Sequence, residues 1–191
     1  MRSNVKFAAI AALLFLCISG LSAQTKMVDN TVMVGDEAMY PKKNIVENAV
    51  NSKDHTTLVA AVQAAGLVET LQGTGPFTVF APVNNAFEDL PEGTVETLLK
   101  PENKKTLTTV LTYHVIAGKY DYNAIAAEIK KGKGKATLKT VSGGTLTAMM
   151  NGARNITVKD EAGNVANIST YDVMQSNGVI HVVDQVLLPK M

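Results

Sequence analysis

Apolar residues recur with a helical period through the first half of this chain and with a strand period through the second. In NIVENAV, Ile45, Val46, Ala49 and Val50 follow Asn44 at helical spacing. The asparagine suits a cap, because its side-chain oxygen accepts from an orphan N–H. LVAAVQAAG places Leu58, Val59, Val62 and Ala65 on one face, with Gly66 as the stop. A short VETLQ turn and the breaker GTGP then lead into FTVFAP. There Phe77, Val79 and Ala81 alternate with Thr78 and Phe80, which predicts a buried strand ended by Pro82. Small helices are expected at 84–89 and 93–99, with Asn84 capping the turn and Phe87 tucked back against the sheet. A longer helix, 101–113, starts on Pro101, whose missing N–H is not needed in a first turn, and carries Leu107, Val110 and Leu111 as its stripe.

Beyond it, HVIAGKY reads as a short strand and Asp121 as the cap of a helix over YNAIAAEIKK. TLKTV, TLTAMM, NITVKD, NVANIST and VMQS read as successive short strands separated by glycine turns. In the closing VIHVV, Val179, His181 and Val183 share one face while Ile180 and Val182 share the other, the pattern of a central strand buried on both sides. Asn177-Gly178 predicts a type I′ turn for the last hairpin. No repeat at a fixed period appears, which argues against a solenoid. Helices first and strands later, without regular βαβ alternation, predict an α+β fold. Residues 24–43 are polar and aperiodic and read as an extended or partly ordered arm.

The beginning of the chain alters where the protein is expected to work. MRSNVK is basic, FAAIAALLFLCISGL is apolar and uncharged, and SAQ ends in small residues. Residues 1–23 therefore read as a secretory signal peptide cut after Ala23. The apolar run falls short of the roughly 20 residues a spanning helix needs, so no membrane span is expected. Lipidation at Cys17 is the weaker alternative, because bulky Phe15 and Leu16 stand where small residues are favoured. Cys17 is the only cysteine. An exported chain without it forms no disulfide and ligates no metal through sulfur. Losing Arg2 and Lys6 leaves 16 of the 18 basic residues against 17 acidic ones. That near-balance argues against nucleic acid, which demands a basic surface.

Candidate chemistry is sparse. The three histidines, His55, His114 and His181, show no i, i+3 or i+4 spacing, so no metal site is predicted. His55 sits among Lys53, Asp54 and Thr56, where solvent exposure is expected. His114 in LTYHVIAGKY follows an aromatic residue and precedes Val115 and Ile116. It reads as a buried neutral imidazole that needs a partner for each nitrogen, with ligand contact or catalysis as the alternatives. His181 reads the same way. No G-x-S-x-G elbow accompanies these residues, and Ser142 before Gly143-Gly144 is explained by turn chemistry. KKGKGK (130–135) lacks the phosphate-loop pattern and follows a helix, so it reads as a solvated basic loop. No cofactor is expected.

Three blocks stand in order: GPFTVFAPVNNAFEDLP (75–91), LTYHVIAGKY (111–120) and DVMQSNGVIHVVDQVLLP (172–189). Together they resemble the signature blocks of the fasciclin, or beta-Ig-H3, domain, and the likeness extends over residues 44–189. The resemblance implies a wedge-shaped β-sandwich with several helices packed around it. It also implies non-enzymatic adhesion outside the cytoplasm, secreted or in the periplasm and cell envelope, to a matrix, a cell-surface protein or a polysaccharide. In animal members a Tyr-His pair and an Asp-Ile pair are proposed integrin-recognition elements. The matching positions here are Tyr113 with His114 and Asp172 with Val173, valine standing where the family pattern has isoleucine. The competing reading is a small-ligand carrier using a pocket between helices and sheet. Nothing in the sequence specifies an oligomeric state.

Overall fold

The computed structural model describes residues 31–190, so the leader of residues 1–23 and Cys17 lie outside the described residues. A hairpin comes first, β1 (Val32–Val34) and β2 (Glu37–Met39), followed by helices α1 (Ile45–Ala49), α2 (Thr56–Ala65) and α3 (Val68–Gln72). Strand β3 (Phe77–Pro82) leads to α4 (Asn84–Glu88), α5 (Thr94–Leu99) and α6 (Lys104–Tyr113). The chain then forms β4 (Val115–Ala117), α7 (Tyr122–Lys131), β5 (Lys135–Lys139), β6 (Thr145–Asn151), β7 (Asn155–Lys159), β8 (Val165–Gln175) and β9 (Gly178–Val183).

Seven strands make one sheet in the order β4-β3-β9-β8-β7-β6-β5. β3 and β9 run parallel, and the remaining neighbours are antiparallel. The sheet curls until its ends meet: Ile116 bridges to Thr140, and the Val141 amide donates to the Val115 carbonyl at 2.8 Å. The two layers of the expected wedge are thus one continuous sheet, and the α+β class holds.

Both faces of β3 and β9 are buried, and each looks onto a different core. Val79, Ala81, Ile180 and Val182 face α1, α2, α3 and the β1–β2 hairpin. Phe80 and Val183 face inward with Leu146, Ile156, Val158 and the α7 residues Ile125 and Ile129. This two-sided burial is why FTVFAP and VIHVV read as nearly unbroken apolar runs.

Several local expectations change. VETLQ is a helix, not a turn, because it holds no breaker and Leu71 turns into the core. NVANIST and VMQS belong to one strand, β8, whose register against β9 shifts twice between Ile168 and Val173. Asp172 sits in that irregularity with φ 56°, which lets the strand bend without ending. The last hairpin is not type I′. Its two loop residues are Ser176 and Asn177, since Gln175 pairs with Gly178, and none of residues 176–178 has positive φ. Gly178 is required instead by close approach, because a Cβ there meets the Phe77 carbonyl oxygen at 2.2 Å. The hairpin with positive φ at both loop positions is β1–β2, where Gly35 and Asp36 each have φ 61°.

Caps also move. Asp121 caps α7, accepting from the Ala124 amide at 2.8 Å, and Gly66 ends α2 with φ 73°, both as the sequence predicts. Asn84, however, caps a different helix from its own. Its Oδ1 accepts from the Thr57 amide at 3.0 Å and its Nδ2 donates to the Lys53 carbonyl at 2.8 Å. It thereby ties the start of α2 to the end of β3.

Candidate functional site

Between the helices and the outer face of β3 and β9 lies a cavity of about 320 Å³. One water needs roughly 10–15 Å³ of such space, so this is no ordinary packing defect; it falls in the range of small-molecule sites, about 300–1,000 Å³. Leu58 and Val62 of α2, Leu71 of α3, Val79 of β3 and Ile180 of β9 line it, and no Lys, Arg, Asp or Glu is among the lining residues. Val34 and Met39 close one side, so the β1–β2 hairpin is part of the wall. Val50 and Val141 also line the cavity, yet they are 50% and 49% exposed. They form an apolar rim where it reaches the surface.

His55 is the polar residue that stands out. It is buried with 4% exposure, against the expectation of a solvated helix start. The cause is tertiary: the hairpin covers it, and Ser52 joins the two by touching the Val34 carbonyl at 3.4 Å and His55 Nδ1 at 2.8 Å. Nε2 is buried and completes no hydrogen bond with the described residues. Burial lowers the His55 pKa, with the Ala81 backbone and Asp54 opposing it only in part. The ring is neutral at pH 7.

The other two histidines are satisfied. His114 Nδ1 lies 2.8 Å from the Val110 carbonyl, and its Nε2 accepts from the Leu187 amide at 2.9 Å. That pairing fixes the Nδ1–H tautomer, since the carbonyl only accepts and the amide only donates. Burial holds the His114 pKa down at about 4. His181 Nε2 lies 2.8 Å from the Tyr120 carbonyl, and Nδ1 faces the Asp172 amide at 3.4 Å. Burial lowers its pKa as well. Neither ring has a free nitrogen to exchange a proton with a substrate. Among the described residues, no cluster of three or more His, Cys, Asp or Glu is placed to hold a metal ion.

The sequence-derived contact residues are placed as follows. Tyr113 is fully buried, donating to the Thr145 carbonyl at 2.7 Å and accepting from the Glu161 amide at 3.0 Å; burial pushes its phenol up to about 12. His114 lies beside it as the C-cap of α6. Val173 is buried and lines the cavity. Asp172 is half-buried, and its Oδ1 accepts from the Tyr122 amide at 2.7 Å at the start of α7. The two pairs do not form one patch of exposed side chains. KKGKGK is a helix-to-strand connection in which Gly132 is required, because a Cβ there meets the Lys135 carbonyl oxygen at 1.9 Å.

Comparisons with known proteins place the chain. Residues 53–189 match the sequence profile described as Fasciclin domain. Protein sll1483 of Synechocystis sp. is 44% identical over 171 residues, covering 88% of this chain and 86% of that protein. Cell surface glycolipoprotein MPB83 of Mycobacterium bovis is 33% identical, over 81% of this chain and 64% of its own length. The transforming growth factor-beta-induced protein ig-h3 of Sus scrofa is 34% identical, but the shared region is only 21% of that protein. Among solved structures, a FAS1 domain pair from the insect cell adhesion molecule fasciclin I superposes with a TM-score of 0.67. Its 18% identity, over 78% of this chain and 52% of that one, bears on the fold alone. The chain belongs to the fasciclin domain family.

Proposed function

We propose that this protein is an exported, non-enzymatic interaction module that adheres to a matrix component, a cell-surface protein or a polysaccharide. The observation that carries the reading is family membership. It includes a relative named as a cell surface glycolipoprotein, and the fold is shared with an insect cell adhesion molecule. The chemistry agrees, because His114 and His181 are neutral and spend both nitrogens on the backbone. In this reading Tyr113, His114 and Val173 act by holding segments in place, and Asp172, the partly exposed member, contributes directly to the contact surface. A binding assay of the purified protein on immobilised matrix proteins and polysaccharides tests it. Saturable retention that weakens several-fold in Asp172→Ala is the expected result, and no retention across a broad panel overturns the reading.

A second reading has its own observation. The cavity beneath the helices is of ligand size and lined mainly by aliphatic residues, which suits a carrier of a small, largely apolar molecule. Native mass spectrometry of protein purified from its own source tests this, with a retained small molecule as the expected outcome.

A further inference from the structure

His55 lines the cavity, and its Nε2 is buried without completing a hydrogen bond to the described residues. Leaving such an atom without a partner is costly, and the cost disappears when a ligand supplies the missing hydrogen bond. His114 also lines the cavity, but its two nitrogens are taken by Val110 and Leu187. His55 is therefore the ring that can read a ligand. Ser52 presets it: the 2.8 Å contact on Nδ1 fixes the ring's orientation, and the Ala81 backbone lies near the ring without completing a bond to Nε2.

The rest of the lining limits what the ligand is. With no Lys, Arg, Asp or Glu on the wall, a carboxylate or an ammonium has to shed its hydration shell with no opposite charge to replace it. A pure hydrocarbon fits the wall but leaves Nε2 unsatisfied. A hydroxyl both donates and accepts, so it completes Nε2 whichever nitrogen of His55 carries the proton. The apolar rim of Val50 and Val141 accommodates a hydrocarbon body that extends past the cavity.

We infer that the cavity is a binding site for a neutral molecule of the lipid-alcohol class, with its hydroxyl on His55 Nε2 and its hydrocarbon body along Leu58, Val62, Val79 and Ile180. This rests on the carrier reading and names the ligand chemistry that reading leaves open. The β1–β2 hairpin is a working part of the site, because Val34 and Met39 wall the cavity and the Val34 carbonyl receives Ser52.

The test uses 1-decanol, decanoate and undecane as competitors of the neutral fluorescent probe N-phenyl-1-naphthylamine bound to the purified protein. Decanol is expected to displace the probe with one-to-one stoichiometry and to bind at least about tenfold more tightly than decanoate. His55→Leu should weaken decanol about tenfold while leaving undecane unchanged. In the unsubstituted protein, decanol should move the imidazole nitrogen resonance of His55 Nε2 and leave those of His114 and His181 in place; this measurement stands even if His55→Leu fails to fold. Val62→Phe, which occupies the cavity, should abolish displacement by both decanol and undecane. If undecane binds but His55→Leu weakens it as much as decanol, or if the His55 resonance does not move, the lipid-alcohol assignment is overturned and the carrier reading survives. If neither the probe nor any of the three compounds binds, both are overturned.

Discussion

The two faces of the sheet can be compared residue by residue. Inside its curl, Phe80, Ile125, Leu146, Ile156, Val158 and Leu187 are buried to 0% exposure. Beneath α1–α3, on the opposite face of the same β3 and β9, Leu58, Val62 and Leu71 remain 8–9% exposed and surround the cavity. The histidines divide the same way. His181, stacked 5.7 Å from Phe80, is hydrogen-bonded at both nitrogens, and so is His114 at the junction of the two cores, whereas His55 on the helix side keeps one nitrogen unmatched. Sheet interiors close because cross-strand neighbours are fixed in register by the ladder. Short helices pack by their side chains alone, and α1 and α3 have only five residues each. The difference teaches that close packing and open space are held on opposite sides of two shared strands.

The comparison breaks most visibly through truncation. Ile156→Ala should cost about 4 kcal/mol, whereas Val62→Ala on the cavity side should cost about 1–2 kcal/mol, because its neighbours already lack some contacts. Urea unfolding followed by circular dichroism measures both, and equal losses would erase the distinction. Acid gives the next largest effect. An unfolded imidazole titrates near 6.5 while folded His114 holds out to about 4, so between those values the unfolded chain binds more protons. Stability is therefore complete above pH 6.5 and falls as the pH drops towards 4, by on the order of 3 kcal/mol from His114 alone. His55 and His181 are shifted in the same direction and deepen the fall. Unfolding midpoints at pH 7, 5.5 and 4.5 measure it, and His114→Gln should flatten the slope.

Smaller effects sharpen the contrast between the histidines. His114→Leu strands the Leu187 amide in the core and should cost about 2 kcal/mol. His55→Leu gives up the Ser52 contact on Nδ1 but also removes an Nε2 that is already unmatched, so thermal unfolding should place it within about 1 kcal/mol of the unsubstituted protein. The smallest expected change is a gain. Val62→Phe fills space and should raise stability by about 0.5–1 kcal/mol, measured as a higher denaturation midpoint.

Much of the fold is readable in the sequence because the signals are local. Asp121 three residues ahead of Ala124, Gly66 after an apolar stripe, and the doubly apolar VIHVV each predict what is found. The Gly35-Asp36 turn carried a local signal as well, two turn residues between VMV and EAM, but polar residues on either side mask it. His55 is a different case. Its neighbours Lys53, Asp54 and Thr56 are polar, and its burial comes from a hairpin about 20 residues earlier in the chain. Nothing within its own helix encodes that. The placement of Asp172 is likewise tertiary, since its backbone turn becomes necessary only when β8 must satisfy both β7 and β9. A pocket between helices and sheet is foreseeable from the architecture; which buried polar atom beside it stays unmatched is not.

The contact between Ile116 and Thr140 bears on how copies of this chain meet at high local density. It is a single bridge beyond the end of β5 (Lys135–Lys139), a strand that pairs with β6 alone and carries exposed lysines at both ends, the kind of charge that discourages another chain from extending an edge. Strand addition, one of the common ways β-rich modules capture peptides, therefore meets a charged edge at β5. At high local density those two lysines guard the sheet against polymerising edge to edge.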